Sequence, residues 1–176
     1  LHDMTLLSLH TGLRANEIFS LTFDRLDFEQ GLIHIKDTKG NKSRVVYMSQ
    51  AVKQILIGYY NAKESELVFP DRNGGKMQSI SKAFFRAVNE LGLNDNITDS
   101  RNKLCFHSIR HTFASWQIQA GMSLYELQTL LGHESFAMVQ RYAHLAPENH
   151  KKATAIFDKQ ENAGKVIDFE QAKKSA

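Results

Sequence analysis

The sequence predicts an α+β fold, mainly α, in which a small antiparallel sheet sits among helices. Three observations carry this. Two β-rich runs, Leu32-Ile33-His34-Ile35 and Arg44-Val45-Val46-Tyr47-Met48, flank the polar stretch Asp37-Thr38-Lys39-Gly40-Asn41-Lys42, which is a hairpin signal. Apolar residues recur at helical spacing on both sides of that hairpin. From His107 onward the periodicity is helical only. A chain of 176 residues, 42% hydrophobic and 23% charged with only 2 Pro, can bury a sizeable core, and it fits one domain or at most two small ones.

Taken in order, Met4, Leu6, Leu7 and Leu9 mark a first helix that stops at Gly12, a residue suited to the left-handed helix cap. A second, short helix carries Ile18, Phe19 and Leu21. After the hairpin, residues 50–63 place Val52, Ile55, Leu56 and Tyr59 on one helical face, and residues 79–91 do the same with Ile80, Phe84, Val88 and Leu91. The Pro70-Asp71-Arg72-Asn73-Gly74-Gly75 cluster between them is a turn. Residues 107–120 read as a helix. Ser123 and Glu126 form a capping box for the next, which ends near Gly132. Pro147 opens a basic helix through about Lys159. The organisation expected is a folded domain over 1–160 and a tail over 161–176, whose one apolar patch, Val166-Ile167-Asp168-Phe169, cannot bury itself alone. The chain opens on Leu1 inside its first helix, as a domain excised from a longer protein would.

Composition narrows the function classes. No run approaches the roughly 18 consecutive apolar residues of a membrane span, and the start lacks a signal-peptide pattern, so no membrane partner is expected. The single cysteine, Cys105, excludes an intrachain disulfide and a Cys-based zinc cluster, fits a reducing cytoplasm, and reads as a core filler in Lys-Leu-Cys-Phe. A net charge of +3 is too small to demand a polyanionic partner by itself. There is no P-loop, no dinucleotide fingerprint, no nucleophile elbow and no acidic pair of the kind that holds Mg²⁺. Nucleotide hydrolysis and two-metal nuclease chemistry are disfavoured.

What the sequence does carry is a series of Arg and His residues ahead of one tyrosine. Five of the eight histidines, His107, His111, His133, His144 and His150, fall in its last 70 or so residues. His107, Arg110 and His111 stand three and four apart, on one side of a helix near its N-terminus, where unpaired N–H groups favour phosphate. Arginine stays protonated and forks onto two phosphate oxygens, so Arg110 suits a site where negative charge grows on phosphorus. The same two histidines also read as core hydrogen-bonders. As a zinc pair they have the right spacing, but the intervening Ser-Ile-Arg supplies no glutamate and an arginine repels a dication, so no metal is expected. Tyr142, on a half-apolar segment, reads either as a packing residue or as a nucleophile. A phenol needs neighbouring cations or a base to act near neutral pH.

The segments Thr11-Gly12-Leu13-Arg14-Ala15-Asn16-Glu17, His107-Ser108-Ile109-Arg110-His111-Thr112-Phe113-Ala114, Leu131-Gly132-His133-Glu134-Ser135 and Tyr142-Ala143-His144 resemble, in order and spacing, the signature boxes of the tyrosine recombinase (phage integrase) family. The resemblance runs from Leu1 to about Lys159. It implies the helical catalytic domain of that family, with a small antiparallel sheet, acting as a site-specific recombinase that breaks and rejoins DNA through a covalent 3′-phosphotyrosine with neither metal nor ATP and no cofactor. By the same resemblance Arg14 and Arg110 are the arginines that clamp the scissile phosphate, and Glu17 is the acidic residue supporting them. His107 is the general base or proton shuttle, His133 a phosphate hydrogen-bonder, Tyr142 the nucleophile, and Lys39 the lysine that protonates the departing 5′ oxygen. Met138-Val139 departs from the pattern, where many members carry threonine.

The partners so implied are double-stranded DNA attachment sites, further copies of the chain in a homotetramer on DNA, and accessory DNA-bending or directionality factors. The location implied is the cytoplasm of a bacterium, the gene being bacterial or phage-borne. Lys42, Arg44, Lys82 and Arg86 are expected to meet the DNA backbone, making binding steeply salt-dependent. The tail is expected to dock on a neighbouring copy. Two alternatives share these residues: a type IB topoisomerase-like enzyme, against which the short chain and the Gly132-His133 box count, and a non-catalytic DNA-binding relic, against which the complete residue set counts. Arg14, Arg110 and His133 are expected to converge on one basic concavity, with Lys39 at its edge and Tyr142 facing in or able to swing in.

Overall fold

A computed structural model describes residues 1–36 and 43–147. The chain divides into two compact units, Leu1–Ala146 and Pro147–Ala176. Everything that follows concerns the first. Helix α1 (His2–Thr11) ends at Gly12, whose φ of 68° is left-handed and whose N–H returns to the Ser8 carbonyl at 2.9 Å. Helix α2 (Ala15–Phe19) follows at once. It stops short of Leu21, because the Leu21 carbonyl accepts the Val68 N–H and the Ser20 hydroxyl turns back onto the Asn16 carbonyl.

The expected hairpin forms as β2 (Leu32–Lys36) and β3 (Ser43–Tyr47), antiparallel, with Ile33 opposite Val46 and Ile35 opposite Arg44. A third strand, β1 (Leu26–Asp27), pairs with β2 and gives the order β1-β2-β3. Two residues carry too little pattern to announce themselves. Ile33, Ile35 and Val46 point into the core while His34, Val45 and Tyr47 face outward, the alternation of a one-sided sheet.

Helix α3 (Gln50–Asn61) and helix α4 (Lys82–Glu90) are capped by the hydroxyls of Ser49 and Ser81, which accept N–H groups of the first turn. The Ser81 cap sets the start of α4, so Ile80 lies outside it. Helix α5 (Phe106–Gln119) crosses α1. Cys105, expected in the core, is instead exposed: it is the N-cap residue of α5, where its N–H donates to the Ser108 hydroxyl and its Sγ lies 3.8 Å from the same oxygen. Helix α6 (Leu124–Leu131) has the predicted box, the Ser123 hydroxyl and Glu126 carboxylate serving each other's backbone N–H, and it ends at left-handed Gly132. Helix α7 (Ala137–Gln140) is one turn long.

Two hydrophobic clusters result. The larger joins α1, α2, the sheet, α3 and α4 through residues such as Leu7, Leu13, Ile18, Ile33, Leu56 and Phe84. The smaller gathers Phe113, Ala114, Ile118, Leu127, Leu131, Val139 and Tyr142 around α5 and α6. The site lies where they meet. Among the described residues no helix is long and apolar enough to cross a membrane. The helix expected after Pro147, the 166–169 patch, Lys39 and Lys42 lie outside the described residues.

Candidate active site

Arg110 is the organising residue. Its side chain is 2% exposed, and a buried guanidinium is stable only if its donors find partners. It finds them at two helix ends. Nη1 donates to the Gly12 carbonyl at 2.5 Å and Nη2 to the Leu131 carbonyl at 2.7 Å, so one cation serves the C-terminal ends of α1 and α6, where the helix dipoles are negative. Both ends close on glycines, where a larger residue would be strained. A Cβ at Gly12 would stand 2.6 Å from the Phe113 ring, and one at Gly132 3.1 Å from Arg44 Cδ, and both residues are left-handed.

Glu17 ties three arginines together. Its carboxylate reaches back to the Arg14 N–H at 2.8 Å, the acidic half of an N-terminal box for α2. It accepts Arg14 Nη1 at 3.1 Å, takes Arg44 in a fork with both contacts at 2.8 Å, and lies 3.9 Å from Arg110 Nη1. The Arg14 and Arg110 guanidiniums therefore face one carboxylate. Burial raises the Glu17 carboxyl, but the Arg44 fork and the Arg14 N–H outweigh it, and its pKa is lowered overall. Burial first, and Arg14 second, press the Arg110 pKa down to about 9, which leaves it protonated near neutral pH.

Arg44, expected from the sequence to meet the DNA backbone, is instead turned inward onto Glu17. Its side chain is 11% exposed, and Nε donates to the Leu130 carbonyl at 3.0 Å, one residue from the carbonyl that Arg110 holds. Arg14 is the open member of the trio, one-third exposed, and it lines a cleft of about 600 Å³ with Glu17, Lys36, Lys76, Gly132 and Glu134. Lys82 and Arg86 project from the exposed face of α4 and are not among the residues lining that cleft.

His133 follows the α6 cap. Burial, then the charges of Arg110, Arg14, Arg44 and His107, lower its pKa to about 4, so the ring is neutral near pH 7. Its Nδ1 is buried with no hydrogen-bond partner. On the first turns of α5 the His107 and His111 rings meet edge to face at 4.8 Å. Both pKa values are lowered, chiefly by burial; His111 and Arg110 add to the effect at His107, Arg141 and Arg110 at His111. Tyr142, just past α7, is 6% exposed within the smaller cluster, and its hydroxyl meets His111 Nδ1 at 2.5 Å. Burial raises its pKa while Arg141 and Arg110 pull the other way.

Arg14, Glu17, His107, Arg110 and His133 thus share one electropositive centre, and Tyr142 lies within the reach of its field. Sequence reasoning did not find the Arg44 fork or the His111–Tyr142 contact, which join residues 27 and 31 positions apart with no local spacing to signal them. It considered Lys36 only as a neighbour of Lys39. Among the described residues no group of three His, Cys, Asp or Glu side chains is placed as metal ligands would be.

The profile of the phage integrase family matches residues 1–149. Tyrosine recombinase XerD of Haemophilus influenzae is 32% identical over 162 residues, covering 86% of this chain and 53% of that protein. The catalytic domain of bacteriophage HP1 integrase superposes with a TM-score of 0.63 at 28% identity, over 93% of this chain and 84% of that one. XerH recombinase bound to its difH substrate before cleavage gives a TM-score of 0.68 at 26% identity, over 88% of this chain and 46% of that one. The chain spans about half the length of the curated relatives it matches.

Proposed function

This chain belongs to the phage integrase family, and on that premise we propose that it is the catalytic part of a site-specific recombinase that cuts and reseals double-stranded DNA through a 3′-phosphotyrosine at Tyr142. The observation that carries the reading is the meeting of Arg14 and Arg110 on the Glu17 carboxylate, with Arg14 and Glu17 at the wall of one cleft and Arg110 buried behind it. Two fixed guanidiniums in a partly buried site supply positive charge where a phosphorane develops negative charge. Metal and ATP are unnecessary, because the phosphodiester's free energy is kept in the Tyr–phosphate bond and returned when a 5′-hydroxyl attacks it.

Arg110, fixed by two carbonyls, holds the phosphate's position, and Arg14 closes on it from the cleft side. Neutral His133 donates to a phosphate oxygen, a role consistent with a ring whose buried nitrogen has no partner among the described residues. His107 acts in proton transfer and Lys39 protonates the leaving oxygen. Lys42, Lys82 and Arg86 contact the DNA backbone, and Arg44 acts through Glu17 instead. The assembly is a tetramer on paired attachment sites, helped by DNA-bending or directionality factors in the bacterial cytoplasm. Its tail, through Val166–Phe169, docks on a second copy, for which an apolar groove of about 1140 Å³ lined by Val45, Tyr47, Tyr125 and Leu130 beside the edge strand β3 offers a seat.

Incubating the full-length protein with nicked suicide duplexes bearing a binding site selected from random DNA tests this. A covalent adduct on a denaturing gel, lost in Tyr142→Phe and insensitive to chelator, is expected. An adduct that survives Tyr142→Phe removes Tyr142 from the role, and loss on chelation returns the chemistry to a metal. A chain ending at Gln160 should cleave but fail to form synaptic complexes.

A further inference from the structure

The residue in contact with the Tyr142 hydroxyl is His111, not His107. His107 sits one turn earlier on α5, edge-on to the His111 ring, and makes no hydrogen bond to the phenol. His111 Nδ1 lies 2.5 Å from the tyrosine oxygen. From this geometry we infer that His111 takes the phenolic proton as Tyr142 attacks phosphorus, and so is a catalytic residue in its own right. The inference rests on the phosphotyrosine reading above.

The step balances. The Tyr142 Oη–P bond forms as the P–O5′ bond breaks, the Oη proton passes to His111 Nδ1, and the 5′ oxygen takes a different proton from the general acid, the role given to Lys39. In resealing, the 5′-hydroxyl returns a proton to that amine, and His111 gives its proton back to the departing phenol. No net proton, oxidant or co-reactant is consumed.

The surroundings suit an acceptor. The groups facing His111 are Arg110 and His107 from its own helix, and Arg141 and Tyr142 from the segment after α7. Apart from the phenol, these are cations or rings, and burial with the Arg141 and Arg110 charges favours the neutral form of His111; the tautomer with its proton on Nε2, which the inference assigns, leaves Nδ1 to accept from the phenol. A base that is uncharged at working pH and already hydrogen-bonded to the nucleophile meets the geometric requirement for general-base catalysis. The positive charge it acquires is tolerated only while the phosphorane's negative charge develops nearby. Proton transfer and attack are thereby coupled.

The test compares His111→Asn with His111→Ala in full-length protein, by single-turnover adduct formation on the nicked duplex. Asparagine places an oxygen near the Nδ1 position and can accept the phenol's hydrogen bond, but it cannot carry the proton away. Both variants are expected to slow adduct formation by about 100-fold or more, with Asn no better than Ala. Unchanged DNA affinity and a cooperative melting transition show that each variant is folded. Incorporating 3,5-difluorotyrosine at position 142, a phenol that ionises more readily, should recover part of the lost rate in His111→Asn. Near-normal rates in His111→Asn would make His111 a positioning residue and overturn the inference, as would near-normal rates in His111→Ala. Failure of the unsubstituted protein to form any adduct would instead overturn the phosphotyrosine reading beneath it.

Discussion

Arg110 is held by the carbonyl ends of two helices and lies beside a carboxylate that two further arginines share, whereas Tyr142 follows a one-turn helix and makes a single side-chain hydrogen bond. The first region is over-determined: α1, α2, β3, α5 and α6 all contribute to it, so no one element can shift without breaking several charge-assisted contacts. The second is anchored by packing of Val139 and the tyrosine ring against Phe113 and Leu131. On the proposed function the over-determined region is the phosphate clamp, which must be preformed to stabilise a transition state, and the more lightly held region carries the nucleophile.

The largest effect should come from breaking the rigid side at its centre. Glu17→Ala leaves three arginines facing one another in a partly buried site and is expected to cost about 3–5 kcal/mol of stability, seen in urea unfolding, together with loss of adduct formation. Gly12→Ala attacks the same centre through the backbone. The left-handed conformation costs a side chain about 1–2 kcal/mol and the clash with Phe113 and Leu131 adds roughly 1–3 kcal/mol, with the Gly12 carbonyl displaced from Arg110.

Acid should act on the same side and in one direction. His133, His107 and His111 have lowered pKa values, so between the folded value, about 4 for His133, and the ordinary 6.5 the unfolded chain binds more protons than the folded one. Stability is therefore full above about pH 6.5 and falls as the pH drops, and the lowered carboxyl of Glu17 extends the loss further into acid. Between pH 7 and pH 5 the melting temperature should fall by on the order of 5 °C. A melting temperature that rises on acidification would mean these histidines are charged in the folded state.

The tyrosine side should be far more forgiving. Tyr142→Phe removes one hydrogen bond and little packing volume, so its expected cost is about 0.5–1.5 kcal/mol by the same unfolding measurement, while on the proposed function adduct formation should be lost. The smallest effects should come from Lys82→Ala and Arg86→Ala, on the exposed face of α4. Each should leave the melting curve unchanged and reduce the salt dependence of DNA affinity, read as the slope of log affinity against log salt, by about 1.

The contrast also explains what was legible in the sequence. Helix boundaries written in local chemistry, such as the Ser123–Glu126 box and the left-handed caps at Gly12 and Gly132, could be read directly. So could the hairpin, from its two alternating runs. Arg14, Glu17 and Arg110 were found as types in boxes, and the structure brings them to one place. Arg44 was expected on the DNA backbone because a basic residue at the end of a polar turn shows no inward partner until Glu17 and Leu130, 27 and 86 residues away, are brought to it. Cys105 was misplaced because apolar neighbours do not reveal that the residue caps a helix. His111 was read as a helix-face neighbour of Arg110, a core hydrogen-bonder or half of a zinc pair, and never against Tyr142, which lies beyond two further helices. Long-range polar contacts have no period.

The account turns on Tyr142 being the atom donor to phosphorus, and the most direct measurement is the mass of the peptide that carries DNA. Nuclease and trypsin treatment of trapped adduct should leave a nucleotide on the tryptic peptide containing Tyr142, joined through a 3′-phosphate, with fragmentation placing it on that tyrosine. A nucleotide mapped to any other residue, or joined through a 5′-phosphate, would contradict it.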